Sequence, residues 1–243
     1  TLGTGASTVQ NGATLALNRS DGYTITTQTE IGTGGGTLRA MAGTLTFNTS
    51  TTGINLNSAN DVTLLVDSGA NIQVQNGISG GGTGIDLVLD GAGTGTISGS
   101  IMAGEGDLTV TKQGSGTWTL SGTGSNWSTG GLHVLAGTVK LGTSNVIPNG
   151  SGKGDVTVTS PGILDLNGSS ETINGLSGTG TVDTGAGGTP TLTVGGNNTT
   201  SSFSGVIQDT AGTLALTKIG SGTLTLSGAN TYSGVTTISA GTL

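Results

Sequence analysis

Apolar and polar residues alternate in short runs along the chain, and glycine separates one run from the next. In Thr117–Leu120 and again in residues 223–226, every second side chain is large and apolar, with threonine between. A period of two places the apolar side chains on one face of a strand and the threonines on the other. Glycine and serine flank each run and supply turn residues. The pattern predicts strands of about four residues joined by tight corners, with Leu120 and Leu226 pointing inward.

The clearest feature is a long internal repeat, whose best copies are residues 97–141 and 203–243. Both contain T-K-x-G-S-G-T-x-T-L-S-G at an offset of 106 residues, and A-G-T recurs near the end of each copy. One such unit cannot bury its apolar face alone, so neighbouring units have to stack. We therefore expect a single repeat domain over residues 1–243, built from roughly 10–12 stacked coils of about 4.8 Å each.

Weaker versions of the pattern run through the rest of the chain. Three of them read glycine, short strand, asparagine and end at Asn18, Asn48 and Asn167. Asparagine tolerates left-handed backbone, so we expect it at repeated corners, bonded to its counterpart in the next coil. The three prolines fall at the edges of the runs, where no ladder hydrogen bond is lost. Further strands are expected at 23–26, 37–39, 54–57, 62–66, 72–74, 85–89, 155–159, 163–166, 181–182 and 191–194.

Composition narrows the class of protein. The chain has 50 glycines and only 8% charged residues, yet aliphatic side chains recur throughout, which argues against disorder. Glycine has no period of three, so the sequence is not collagen-like. The absence of cysteine excludes disulfides and thiolate metal sites, and is ordinary for an exported bacterial domain. A formal net charge of −7 with scattered basic residues argues against nucleic acid and anionic membranes.

The second copy resembles a known repeat. From Lys218 it reads K-x-G-x-G-T-L-T-L-S-G-x-N-T-Y-x-G, and it closes with A-G-T-L at 240–243. Residues 135–180 add A-G-T-V-K-L-G, P-N-G, L-D-L-N-G and I-N-G-L-S-G. This combination is similar to the passenger-associated repeat of bacterial autotransporters over residues 95–243. The earlier copy departs from it, with Trp118 in place of leucine and Asn126-Trp127 in place of N-T-Y.

The resemblance implies an all-β, right-handed parallel β-helix, a handedness that agrees with the rule for parallel crossovers. It also implies secretion to the outside of a Gram-negative cell, with a C-terminal outer-membrane β-barrel expected beyond these residues. We expect a non-catalytic extracellular scaffold or adhesin without a cofactor, whose ligand on a host or neighbouring cell is unknown. The alternative is a structural subunit of an extracellular fibre or matrix that polymerises end to end.

Each candidate chemical site in the sequence also has a plainer structural interpretation. Residues 81–89 fit a calcium-binding nonapeptide, but no second copy follows, so a glycine-rich corner is the better interpretation. His133 is the only histidine and aligns with Thr237, which indicates an outward strand position rather than a catalytic base. The close acidic pairs, Asp86/Asp90 and Glu105/Asp107, have no basic neighbour in sequence. We assign no catalytic, metal-binding or ligand-binding residue.

Two further possibilities follow from the pattern itself. Thr-x-Thr pairs suggest that the protein could bind ice, but the starting positions of the pairs are irregularly spaced. We therefore prefer the interpretation that threonine is used here as a good exposed strand residue. The last residues joined to the first also repeat the internal phrase, since A-G-T-L followed by T-L-G-T resembles residues 136–143. An open strand edge invites another chain, so head-to-tail self-association is expected.

Overall fold

The computed structural model describes residues 7–50, 53–57, 60–80, 83–104, 106–127 and 129–243. Within these ranges the regular structure is β-strand, and no helix there is long and apolar enough to cross a membrane. In chain order the strands are β1 Ser7–Val9, β2 Ala13–Asn18, β3 Tyr23–Ile25, β4 Thr29–Ile31, β5 Gly36–Ala42, β6 Thr44–Phe47, β7 Ile54–Leu56, β8 Val62–Val66, β9 Asn71–Val74, β10 Ile78–Gly80, β11 Ile85–Gly91, β12 Thr94–Ile97, β13 Ile101–Ala103, β14 Leu108–Lys112, β15 Thr117–Leu120, β16 Gly131–Val134, β17 Thr138–Leu141, β18 Val156–Val158, β19 Ile163–Asp165, β20 Glu171–Ile173, β21 Leu176–Gly178, β22 Thr181–Asp183, β23 Thr191–Val194, β24 Ser201–Phe203, β25 Val206–Ile207, β26 Ala215–Lys218, β27 Leu224–Leu226 and β28 Thr236–Ile238.

Successive strands pass around three faces of a solenoid, and each strand pairs with strands of the coils before and after it. One face is a 10-stranded sheet from β2 to β27, and the second is a 9-stranded sheet from β3 to β25. The third face holds a 5-stranded sheet, β1 to β13, and then a 4-stranded sheet, β20 to β28. All the pairings are parallel, for example β11 with β14 and β12 with β15. The all-β solenoid of stacked coils is confirmed, with about 10 turns, and its right-handed winding stays a prediction.

The core is a set of aliphatic columns that run through the coils. In the 10-stranded sheet one column contains Val62, Leu87, Val110, Leu132 and Val156, all 0% exposed. Burying a side chain of this kind contributes about 1.5–3 kcal/mol, and the gain recurs in every coil. The alternate positions, largely threonine, point outward as the period-two pattern predicts. Apolar burial therefore depends on the presence of a neighbouring coil on each side.

The departure at Trp118 is accommodated by the coil before it. Trp118 is fully buried and pairs in register with Gly95 of β12. A Cβ built on Gly95 would lie 2.3 Å from the Trp118 ring. Because glycine leaves that space open, the indole takes the place of a smaller aliphatic side chain without displacing the strands.

The third face changes its construction midway along the solenoid. After β13 the face continues with Asn126, which forms an isolated parallel bridge with Met102. In the following coil the connection between β17 and β18 covers it, and this connection buries Val146 and Ile147, each 2% exposed. The 4-stranded sheet then begins at β20. A non-strand segment thus fills the gap between the two sheets of this face.

The expected strands are present, and the asparagine prediction is only partly correct. Asn167 adopts φ 51°, but Asn18 and Asn48 are not left-handed. Asn167 Nδ2 also donates to the backbone carbonyl of Leu141 at 2.9 Å instead of to another asparagine. In a parallel stack the carbonyl of the preceding coil is the nearer acceptor. The left-handed corners other than Asn167 use Asn11, Asn145 and Asn198, together with many glycines.

The two repeat copies occupy different faces. In the first, Lys112 ends β14 in the 10-stranded sheet and β15 follows in the 9-stranded sheet. In the second, Lys218 ends β26 in the 4-stranded sheet and β27 follows in the 10-stranded sheet. The second copy is therefore displaced by one face around the coil. The repeat is a strand–corner–strand module that fits more than one corner, rather than a copy of a whole coil.

Leu120 and Leu226 allow a test of the core with one residue type. Leu120 is 1% exposed, as predicted, whereas Leu226 lies on β27 at the edge of its sheet and is only partly buried. We expect Leu120→Ala to lower the free energy of unfolding by about 2–5 kcal/mol, and Leu226→Ala by clearly less. Urea unfolding followed by circular dichroism measures both, with outward Thr119→Ala as the control. An equal or larger loss for Leu226→Ala would contradict the assigned packing.

Candidate functional site

The repeat module contains a buried lysine enclosed by backbone carbonyls. Lys112 is 0% exposed because it is in phase with Leu108 and Val110 on the inward side of β14. Its Nζ donates to the carbonyl of Gln113, to Gly114 O at 2.7 Å and to Ala136 O at 3.2 Å. The first two acceptors belong to its own corner and the third to the next coil. We call Nζ with these three carbonyls the lysine cage.

The second copy builds the same cage. Lys218 is 1% exposed, and its Nζ donates to the carbonyl of Ile219, to Gly220 O at 3.0 Å and to Ala240 O at 3.5 Å. The backbone around it also repeats, since Ala240 N donates to Lys218 O as Ala136 N does to Lys112 O in the first copy. The cage therefore recurs with equivalent partners although the two copies lie on different faces.

The glycine of A-G-T is required by the cage. Gly137 and Gly241 have φ of 62° and 72°, in the left-handed region. A Cβ on them would lie 2.7 Å from Lys112 Nζ and 2.8 Å from Lys218 Nζ, respectively. Any larger residue would be strained, and its Cβ would lie closer still to two backbone carbonyl oxygens, one of which, Gly114 O or Gly220 O, belongs to the cage. This contact joins two parts of the repeat that are separated in sequence, T-K-x-G-S-G and A-G-T.

Burial of an ammonium group disfavours its charged form relative to the neutral amine. Burial lowers the pKa of Lys112 to about 8, and the carboxylate of Asp90 opposes that fall. The carbonyls at the corner need donors because the strand ladder ends there, and a buried carbonyl without a donor is costly. A lysine can supply three N–H donors from one atom. The cage thus satisfies several corner carbonyls at once and fixes the corner to the next coil.

A second corner of the module forms the same kind of hydrogen bond in both copies, but with different side chains. The N–H of Ile207 donates to Asn230 Oδ1 at 2.9 Å, and the N–H of Ile101 donates to Ser125 Oγ at 3.1 Å. Ser125 therefore occupies the place of Asn230, and Asn126 the place of Thr231. The sequence comparison, which matched Asn126 with the asparagine of N-T-Y, was wrong by one residue, because the first copy contains one extra residue before this corner.

A buried carboxyl group holds the connection between β17 and β18. Glu171 is 1% exposed, and its Oε2 accepts from the N–H of Val146 at 2.9 Å. Burial raises the pKa of Glu171 to about 7, while hydrogen bonds from Asn145, Val146, Ile147 and Thr172 lower it. Asn174, three residues further along the chain, is fully buried and bonds both the N–H and the carbonyl of Gly150. These two side chains replace the missing strand ladder where the third face changes sheets.

The structure places His133 on an outward strand position, as the sequence predicted, one coil beyond the Thr111 that donates to Asp86 Oδ2 at 3.1 Å. It lies half-buried on the outer side of the 10-stranded sheet, between Thr111 and Thr157 in register. Stacking brings Asp61 near Asp86, a neighbour that sequence spacing did not indicate. Burial raises the pKa of Asp86 and Asp61 adds to the rise, while Thr111 and His133 lower it.

The other sequence candidates are dispersed. Asp90 is four residues from Asp86 on β11, about 13 Å along an extended strand, and accepts from Gln113 Nε2 at 3.2 Å. Asp107 accepts from Thr129 Oγ1 at 2.7 Å, whereas Glu105 lies outside the described residues. Of the 81–89 pattern, Gly81 and Gly82 also lie outside them. Among the residues that the structure describes, no group of three or more His, Cys, Asp or Glu could hold a metal ion.

The basic side chains form no patch. Two are caged lysines, and the arginines pair with acids in Arg19–Asp21 at 2.6 Å and Arg39–Asp67 at 2.8 Å. Lys140 lies 3.9 Å from Asp165, and Lys153 donates to Asn126 Oδ1. Each of the six basic residues of the sequence is thus buried or engaged, which leaves no cluster for a phosphate backbone.

Comparison with known proteins identifies the module. Residues 110–141 and 216–243 match the family model described as the passenger-associated-transport-repeat. Both matches contain a complete lysine cage, from the strand that carries the lysine to the alanine that closes it. No curated protein and no solved structure matches the chain. The two segments are repeats of this kind, as expected of an autotransporter passenger domain.

The cage can be tested by removing its charge while keeping its volume. In Lys112→Met the three carbonyls lose their donor inside the core, so we expect the free energy of unfolding to fall by about 1–3 kcal/mol. Lys140→Met is the matched control, because Lys140 is half-exposed, and its effect should stay within about 0.5 kcal/mol. Urea midpoints of the two variants decide the matter. A Lys112→Met protein as stable as the wild type would show that the cage is not required.

Proposed function

We propose that this chain is a non-catalytic scaffold or adhesin, presented on the bacterial surface as part of an autotransporter passenger. The observation that carries the proposal is the lysine cage, which recurs in both segments that match the passenger-associated-transport-repeat. Those segments belong to one solenoid rather than to separate modules. A match to a transport repeat supports export, and the solenoid supports a mechanical role.

The geometry suits a spacer. A stack of about 10 coils at about 4.8 Å per coil gives a body about 48 Å long. Every coil bonds its neighbours through backbone ladders, which resists bending more than a chain of separately folded domains would. Such a body holds whatever it carries at a fixed distance from the membrane. Sequential stacking also favours outward transport, since each folded coil offers a template for the next.

The non-catalytic part of the proposal rests on the distribution of titratable groups. Glycoside-cleaving enzymes need two carboxyl groups that face a common substrate, with pKa values pushed apart. Here the carboxylates of Asp165, Asp183 and Asp209 accept backbone N–H bonds at corners instead. Hydrogen bonds from Ser233 and Leu214 lower the pKa of Asp209, as expected of a structural carboxylate. These three carboxylates therefore serve to fix the backbone at the corners.

Two partners belong to the same proposal. A C-terminal outer-membrane β-barrel would anchor and export the passenger, and a ligand on a host or neighbouring cell would be bound by its surface. Polymerisation into a fibre remains the alternative function. Its sequence argument depends on Thr1, Leu2, Gly3 and Thr4, which lie outside the described residues. Sedimentation of the purified chain over a range of concentrations tests it.

Surface location can be tested with a single engineered thiol, because the sequence has no cysteine. Ser98→Cys places the thiol on an exposed position of the nine-stranded sheet. The variant is produced in cells as part of the full-length protein that its gene encodes. We expect a membrane-impermeant maleimide to label the thiol equally in intact and in lysed cells. Wild-type cells are the control for background. Labelling that appears only after the outer membrane is permeabilised would contradict the proposed location.

A further inference from the structure

We propose that the outer side of the nine-stranded sheet, between β6 and β15, binds a neutral, hydroxyl-rich polysaccharide. The surface consists of the outward residues of 44–48, 71–75, 94–98 and 117–121, and we call it the neutral face. The inference rests on the proposed adhesin role and names the class of its ligand. It concerns binding by the purified chain, so it fails or stands separately from surface location.

The neutral face is a regular array. Thr94 lies in register with Asn71 on one side and Thr117 on the other, and Thr96 lies likewise between Gln73 and Thr119. A third row follows, since Ser98 N donates to Val74 O and Ser121 N to Ile97 O, which extends the ladder past the strands. Each coil thus presents three polar side chains, and four successive coils do so.

The side chains of the face all have the same chemistry. The four coils present Thr-Thr-Asn, Asn-Gln-Gln, Thr-Thr-Ser and Thr-Thr-Ser, and each of these residues is half-buried or exposed. Hydroxyl and primary amide groups both donate and accept hydrogen bonds. Within the described part of the chain, one side-chain bond joins members of the array, from Thr94 Oγ1 to Asn71 Oδ1 at 3.3 Å. The remaining capacity is available to a ligand.

Two other outer surfaces of the solenoid carry charge. The next coil along the same outer row introduces charge, with Lys140 in register with Asp165. The outer side of the 10-stranded sheet carries Arg39, Asp90 and His133. A charged partner would find oppositely charged side chains on those surfaces. The neutral face has no charged side chain, so it favours partners that bind through uncharged hydrogen bonds.

An apolar partner is also a poor match. The exposed large hydrophobic side chains of the described residues are Met41, Met102, Leu135, Val235, Ile238 and Leu243, none of which lies in the four ranges. A protein interface usually centres on buried aromatic or aliphatic anchors. A polysaccharide with many uncharged hydroxyl groups fits an array of hydroxyls and amides better.

The spacing favours a polymer over a single sugar. Neighbouring coils are about 4.8 Å apart, and alternate residues of a strand about 6.6 Å apart. Each hydrogen bond with a water-exposed sugar is weak, and no aromatic side chain adds stacking on this face. Repetition along a chain converts such weak contacts into avidity. Threonine is stiff at χ1, so the array loses little side-chain freedom on binding. Binding is therefore expected to strengthen with polymer length.

Ice is the other ordered hydroxyl surface that a threonine array could meet. Irregular spacing in sequence argued against ice, but the coils bring Thr44, Thr94 and Thr117 into one row. Asn71 and Gln73 nevertheless interrupt the threonine rows between the first and second threonine coils. Amides that vary the array suit a flexible glycan better than a lattice that requires identical repeats.

The experiment measures binding of the purified chain to cellulose, chitin, starch, dextran and galactomannan, with alginate and heparin as acidic comparisons. Each measurement is made at low salt and in molar sodium chloride. Thr96→Val with Thr119→Val removes two stacked hydroxyls from the neutral face and keeps the side-chain shape. The control is Thr37→Val with Thr63→Val, a stacked pair of equally half-buried threonines on the 10-stranded sheet. Circular dichroism checks that both variants fold.

We expect salt-insensitive binding to at least one neutral polymer, tighter for longer chains. The neutral-face variant should bind about tenfold more weakly, and the control should bind as the wild type does. Absence of binding to every neutral polymer, equal loss in the two variants, or binding abolished by salt would each overturn the proposal. Thermal hysteresis without polysaccharide binding would assign the face to ice and overturn it as well.

Discussion

The parallel backbone ladder between successive coils is the interaction on which the rest of the structure depends. Each strand finds its partners in the coils before and after it, as β12 does with β9 and β15. The aliphatic columns are buried only because this ladder holds the coils in register. It also creates the main difficulty of the fold, because at every corner the chain leaves the ladder and its backbone groups need other partners.

At the corners, charged and amide side chains supply these partners, some as hydrogen-bond donors and others as acceptors. The lysine cages give donors to corner carbonyls, and Glu171, Asp165 and Asp209 give acceptors to corner N–H groups. These bonds often run to the neighbouring coil, so they fix the corners as well as satisfy them. Both caged lysines and several of the carboxylates of this chain are used in this way. The neutral face is an outer surface that is left with uncharged polar side chains.

The strands and their inward sides could be predicted because a period of two is visible in the sequence itself. The burial of Lys112 was open to the same reasoning, since it is in phase with Leu108 and Val110. The charge of Lys112 instead predicted a solvent-exposed side chain. The carbonyl cage, which only the structure shows, explains why the lysine is buried all the same. The face occupied by each copy could not be predicted, because corners add residues that no local pattern counts. For the same reason the proximity of Asp61 to Asp86, and the alignment of the neutral face, required the coil register.

Electron–electron distance measurements between spin labels test that register most directly. Thr44, Thr138 and Thr181 lie in one outer row of the nine-stranded sheet, with Thr138 four coils and Thr181 six coils from Thr44. With cysteine at these positions, stacking predicts narrow distributions near about 19 Å for the first pair and about 29 Å for the second. Broad distributions, or a second distance no longer than the first, would contradict the stacked solenoid.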